Sequence, residues 1–265
     1  MKTEPSIQQL FDLSGRVALI TGASGHLGSS MARALAEASA RVVVASRDAK
    51  VGKEMSSSLG GAESGWHTNV VMNHMDEKSI LRGFNQAVKL ADKIDILVCN
   101  GHEALGEDWQ TVKGKQFTRQ LQNATGYFLL ARELRNHVVK RRAPASIVML
   151  GSMYGLVGSY PQAYEGSGPA NPVAYQVLKG GIAQMARHLA VYWARDRVRV
   201  NCLSPGPFPS SAATKKLLRN LKQHSPMARM GQPYELKGAL VFLASDASSY
   251  MTGHNLVVDG GWTSW

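Results

Sequence analysis

Residues Thr21–Gly28 read TGASGHLG. They follow the apolar run RVALIT at Arg16–Thr21 and open onto apolar positions Leu27, Met31, Ala34, Leu35 and Ala38, which recur at helical spacing. A short β-branched run ending at glycine reads as a parallel strand buried on both faces, and the period of 3.6 after it reads as a helix. The next run, RVVVAS at Arg41–Ser46, is a second buried strand and closes a strand–helix–strand unit. Glycine in such a turn permits positive φ and close backbone approach, while the helix beginning near Leu27 points free N–H groups and a positive dipole end at whatever lies above it. A pyrophosphate fits that description, and the strand before and helix after lift the pattern above a tight turn that needs glycine for geometry alone. The expected cradle is Gly22, Ser24, Gly25, His26, Leu27 and Gly28.

The alternation continues outward from this unit. Strands are expected at GWHTNVV near residue 65, IDILVC (94–99), SIVML (146–150), VRVNCLS (198–204) and NLVVD (255–259). Helices are expected from about Asp76, over 115–140, over 173–194 and from about Tyr234. Strands alternating with helices at this spacing imply an α/β fold, a Rossmann-like doubly wound parallel sheet with helices on both faces. No repeat, linker or low-complexity tract divides the chain, so residues 1–265 read as one domain with 1–12 a loose lead-in. Two stretches lack clear periodicity, Tyr154–Pro172 and Pro205–Pro226, and both read as loops. In an open parallel sheet the ligand crevice lies beyond the carboxyl ends of the strands, which is where these loops fall.

Composition narrows the class. With 265 residues, 44% hydrophobic and 18% charged, the chain is that of an ordinary globular domain. No apolar run reaches the roughly 20 residues of a membrane span. The N-terminal residues lack a signal-peptide core, so a cytoplasmic address is expected. Cys99 and Cys202 sit inside strand-like runs without metal-ligand spacing; they read as buried free thiols, and no metal site is expected. The net charge of +11 suits small anionic ligands as well as nucleic acid. Aromatics are only 7% and no nucleic-acid motif is present, so neither nucleic acid nor membrane is an expected partner.

The motif YQVLK places Tyr175 and Lys179 on one helix face. In order and context it stands with QNATGYF, which holds Asn123 in the preceding long helix, with SIVMLGSMYG, which puts Ser152 just past a strand end, and with LSPGPFPS after the next strand. On these motifs nearly the whole chain from Leu13 to Trp262 resembles the short-chain dehydrogenase/reductase family. The resemblance implies an Asn123, Ser152, Tyr175, Lys179 catalytic tetrad and an NAD(P)-dependent oxidoreductase. Tyrosine titrates near 10, so proton exchange with a substrate oxygen calls for a nearby cation such as Lys179. Ser152 would position the substrate oxygen, and Asn123 would hold a water linking Lys179 to solvent. The spacing TGxxGxxG is that of the family's extended branch, whereas chain length, PGPFPS and the ending MTGHNLVVDGGW side with the classical branch; His26 then stands where classical members prefer glycine.

The resemblance also assigns the cofactor groove. Asn100 and Gly101 follow the fourth strand, where CNGH (99–102) replaces the family's Asn-Asn-Ala-Gly. Asn73, with His74 beside it, stands where an aspartate usually meets adenine. Pro205, Gly206, Phe208 and Ser210 match the segment that orients the nicotinamide. An acid at the end of the second strand would bind a ribose 2′-hydroxyl; here Ser46 and Arg47 occupy that place, which favours NADP(H) over NAD(H).

The gap from Ser152 to Tyr175 is longer than usual through SYPQAYEGSGPANP (159–172). That insertion offers Tyr160, Tyr164 and Glu165 as substrate contacts beside Ser152 and Tyr175, or serves architecture alone. The whole chain is similar to members of the gluconate 5-dehydrogenase type, which implies a small, anionic sugar-acid substrate, with Lys215, Lys216 and Arg219 on a substrate lid. Another carbonyl, such as a 3-oxoacyl thioester or a steroid, is the alternative within enzymes, and a non-catalytic dinucleotide sensor the alternative outside them. By the same resemblance a homotetramer, or a homodimer, is expected.

Overall fold

The computed structural model describes residues 4–60, 65–167 and 171–265. Seven parallel strands form one sheet: β1 (Val17–Thr21), β2 (Arg41–Ser46), β3 (Thr68–Val71), β4 (Ile96–Cys99), β5 (Ala145–Leu150), β6 (Val198–Pro205) and β7 (Asn255–Val258). Their order is β3-β2-β1-β4-β5-β6-β7. The chain therefore reverses its direction of winding between β1 and β4, and the crevice of a doubly wound sheet opens at that point. Every strand of the sequence reading is present, with ends moved by at most three residues.

Burial on both faces explains why these strands read as continuous apolar runs. In β1, Val17 and Leu19 enter one core and Ala18 and Ile20 the other. The first core is covered by α4 (Glu77–Ala91), α5 (Gly114–Arg141) and α7 (Val173–Trp193), the second by α2 (His26–Glu37) and α9 (Lys237–Ala244). Cys99 and Cys202 are buried free thiols. No helix among the described residues is long and apolar enough to cross a membrane.

Four features differ from the sequence reading. Inside the expected lead-in, α1 (Ile7–Phe11) is a helical turn closed by a capping box between Ser6 and Gln9. Its Phe11 ring lies 6.3 Å from that of Phe242, so the segment is tied to the body although none of it is buried. After β2, Asp48 caps α3 (Ala49–Ser57), accepting the N–H groups of Lys50 and Val51. The stretch 205–226, read as a loop, contains α8 (Lys215–Gln223), capped by Thr214 and resting on Leu221. The 159–172 insertion holds the short helix α6 (Pro161–Tyr164), and its residues 168–170 lie outside the described residues.

Helix α5 comes unusually close to the loop after β3. A Cβ on Gly126 would be driven into the His74 carbonyl oxygen, which is backbone and cannot swing aside. Gly181, in α7, has nothing within 4 Å of the same test atom. Gly126→Ala is therefore expected to destabilise the fold by about 1–3 kcal/mol. Gly181→Ala should be neutral or stabilising by up to about 1 kcal/mol through helix propensity. Urea unfolding of both variants checks the pair, and equal midpoints would contradict the close approach.

Candidate active site

The crevice beyond β1, β2 and β4 is a cleft of about 530 Å³ lined by the whole of the expected cradle, by Ser46 and Arg47, and by His74, Asn100 and Gly101. Gly22 adopts φ +65°, and its carbonyl accepts the Gly25 N–H at 3.1 Å and the Asn100 amide at 2.9 Å. A Cβ on Gly28 would strike that same carbonyl and the Asn100 amide, so glycine is required there. Gly25 is the N-cap of α2 and supplies no side-chain cap. The first N–H groups of the helix thus face the cleft unblocked, as an anion site requires. His26 occupies the first helical position with an exposed side chain, so substitution at this point leaves the backbone cradle intact. The residues present fit a dinucleotide.

Beyond β5 the structure brings Ser152, Tyr175 and Lys179 together. Ser152 follows β5 and caps a short helical turn by accepting the Tyr154 N–H at 3.1 Å. Burial raises the Tyr175 phenol above its ordinary value, and the neighbouring Ser152 hydroxyl offsets that in part. One turn along α7, the Lys179 Nζ lies 5.5 Å from the centre of the Tyr175 ring and donates to the Leu150 carbonyl at 2.8 Å. Burial pushes Lys179 down to about 8.

Asn123 is placed nearby in α5 but does something other than expected. Its Oδ1 accepts the Glu103 N–H at 2.8 Å and pairs with His74 Nε2 at 2.9 Å, while its Nδ2 donates to the carbonyls of Glu103 and Gln120. The amide is saturated, so its side chain has no free position for a water leading to Lys179. It holds the loop after β4 to α5 instead.

Other sequence-predicted residues fall outside the cleft. Asn73 turns away from it: the Oδ1 accepts the Met75 N–H at 3.0 Å. Ser210 lines a neighbouring hollow of about 680 Å³, which reaches His26 and includes Leu218 and Lys222 of α8. Phe208 lines a smaller one, and Gly206 packs on Asp259 at the end of β7. In the insertion, Tyr164 pairs through its hydroxyl with Tyr154 at 2.7 Å, and Tyr160 stacks on His224 at 4.8 Å and tilts against Trp262. These tyrosines form one apolar cluster with Tyr175, while the Glu165 side chain is exposed. Asn220 of α8 donates to the Gln162 and Glu165 carbonyls, so α8 and the insertion form one cover.

Two residues were not singled out as site residues from the sequence. His102 meets the Tyr175 ring edge-on at 5.5 Å and pairs with Gln120 at 2.7 Å; burial holds it down to about 3, so it is neutral at working pH. Glu103 carries Arg119 on its carboxylate at 2.6 and 2.9 Å. The position of both just past β4, beside the switch point, is the signal that was available.

A family model described as enoyl-(acyl carrier protein) reductase matches residues 22–263. The NADP-dependent mannitol dehydrogenase of Hypocrea jecorina is 34% identical, the alignment covering 99% of this chain and 97% of that one. The galactitol 2-dehydrogenase (L-tagatose-forming) of Cereibacter sphaeroides is 33% identical over 97% and 98%. Among solved structures, a gluconate 5-dehydrogenase from Burkholderia cenocepacia in complex with NADP and tartrate superposes with a TM-score of 0.88, at 26% identity and 98% and 100% coverage. Fold, cleft and these likenesses lead to one conclusion: the chain is an oxidoreductase of the short-chain dehydrogenase/reductase family, a family that uses a nicotinamide cofactor.

Proposed function

We propose that the protein interconverts a secondary hydroxyl and a ketone on a polyol or sugar-derived substrate, with NADP(H) preferred. The observation that carries this reading is the Ser152, Tyr175 and Lys179 group at the end of a glycine-cradled cleft. A bound nicotinamide supplies the carbon that gives or takes the hydride. Ser152 holds the substrate oxygen by a hydrogen bond, a positioning role. Tyr175, kept protonated by burial, gives its proton to that oxygen as a ketone is reduced, and takes it back in the oxidative direction. Protonated Lys179 offsets the negative charge that appears on the phenol oxygen. The mannitol and galactitol dehydrogenases support a polyol, and Arg47 at the end of β2 supports the 2′-phosphate of NADP(H).

Within this reading a sugar acid of the gluconate type is the more specific substrate. The similarity to a gluconate 5-dehydrogenase supports it, as do the cations of α8, whose Lys222 lines the hollow beside His26. A cytoplasmic homo-oligomer, a tetramer or dimer, belongs to the same reading; α7 exposes Val191 and Tyr192 on its surface. Purified protein with NADP and a panel of mannitol, galactitol, sorbitol and gluconate, and with NADPH and the matching ketoses and 5-ketogluconate, tests it by nicotinamide absorbance. Turnover is expected on polyols or sugar acids. Turnover confined to 3-oxoacyl thioesters or steroids would replace the substrate, and none on any carbonyl would replace the enzyme reading.

The pH dependence has a defined sign. Ketone reduction needs Lys179 charged, and its pKa lies at about 8, so the rate should hold through neutrality and fall as pH rises past about 8. His102 at about 3 contributes no limb between pH 5 and 9. Lys179→Arg should move the alkaline limb upward, because guanidinium stays protonated. An alkaline limb unchanged in that variant would assign it elsewhere.

A further inference from the structure

Arg47 of the cleft lining and Glu103, the residue after the lining His102, reach toward each other across the sheet's switch point. Arg47 leaves the end of β2 and Glu103 follows β4, with Arg47 Nη1 3.7 Å from Glu103 Oε2. On its other side the same carboxylate is gripped by Arg119 of α5 through two short bonds. The backbone of Glu103 is fixed independently, its N–H and carbonyl both bonded to the Asn123 amide. The Arg119 guanidinium bonded to it holds the Glu103 carboxyl below its ordinary value, so it is charged at neutral pH. The Arg47 side chain is 63% exposed and its pair is long, so its bond to Glu103 is easily exchanged for another anion.

We propose that Glu103 sets the discrimination between NADP(H) and NAD(H), with Arg119 controlling how strongly it does so. The inference rests on the reading of Arg47 as the contact for a 2′-phosphate. That phosphate must share Arg47 with, or take it from, a carboxylate already beside it, and like charges at this separation oppose one another. A 2′-hydroxyl carries no charge and meets no such opposition. Arg119 neutralises most of the Glu103 charge from the far side and leaves Arg47 available. Glu103 therefore works against NADP(H) and Arg119 for it, both through Arg47 and neither as part of the cleft lining.

Opposite signs follow for two conservative changes. Glu103→Gln keeps the shape and the backbone bonds to Asn123 but removes the charge; it should tighten NADP(H) about three- to fivefold and leave NAD(H) unchanged. Arg119→Gln releases the Glu103 carboxylate toward Arg47 and should weaken NADP(H) by a similar factor, again sparing NAD(H). In the double variant the Arg119 effect should vanish, because it acts through the carboxylate. All three differences should shrink as salt is raised.

Titration calorimetry of NADPH and NADH into wild type and variants measures these dissociation constants without turnover. Arg47→Ala serves as the reference for the underlying reading. If Arg47→Ala weakens NADPH alone, and Glu103→Gln shifts both dinucleotides alike or neither, the role of Glu103 is overturned while the Arg47 reading stands. If Arg47→Ala leaves NADPH binding unchanged, the 2′-phosphate reading falls and the proposal falls with it. Opposite shifts confined to NADPH establish it.

Discussion

Around the Gly22 carbonyl oxygen the chain has room for backbone and the Asn100 side-chain amide, and for nothing more. That oxygen accepts the Gly25 N–H and the Asn100 amide, and the first turn of α2 passes so close that position 28 must lack a side chain. Thr21 completes the stitch, its Oγ1 accepting the N–H groups of Asn100 and Gly101 at 3.0 and 2.9 Å. One knot of hydrogen bonds thus joins the ends of β1 and β4 at the switch point and aims the start of α2 into the cleft. Backbone groups tied this way are both satisfied and rigid, which a phosphate cradle needs. It also explains why histidine is accepted at position 26: the constraint acts on neighbouring backbone, and the imidazole points to solvent.

The reaction end depends on a different economy, that of buried polar groups. Lys179 is 5% exposed, and lowering its pKa from 10.5 to about 8 corresponds to roughly 3 kcal/mol of unfavourable charge burial at neutral pH. The sheet bears that cost because the charge has a use: it sits beside a phenol that burial would otherwise keep from ionising. His102 settles the same conflict the other way, by staying neutral against Gln120. Asn123 settles it by full satisfaction, with two donors on its oxygen and two acceptors for its nitrogen. Stability and chemistry are therefore coupled along α5 and α7, which carry Asn123 and Lys179, and in the loop after β4, which carries His102.

Much of this architecture is legible in the sequence because it is local. Apolar runs mark β1 to β7, and Tyr175 and Lys179 share a helix face by spacing alone. Helix α8 falls in a stretch that reads as a loop: Thr214 as a cap and Leu217, Leu218 and Leu221 at helical intervals carry its signal, and the cations between them mask it. The resemblance names Asn123, whose side-chain amide is saturated, and Asn73 and His74, of which His74 lines the cleft while Asn73 bonds its own loop. What spacing cannot show is which strand ends meet. Arg47 and Glu103 are brought together only by the order β2-β1-β4, and Tyr160 and His224 only by the docking of α8 on the insertion.

On the proposed reading Tyr175 exchanges the proton while the cleft binds the dinucleotide separately. NADPH binding and ketone reduction measured side by side on wild type and Tyr175→Phe separate the two. The phenyl ring keeps the packing against His102 and loses only the hydroxyl, so the dissociation constant should be unchanged and turnover lower by about 10²–10⁴-fold. Turnover within a factor of a few of wild type would contradict it.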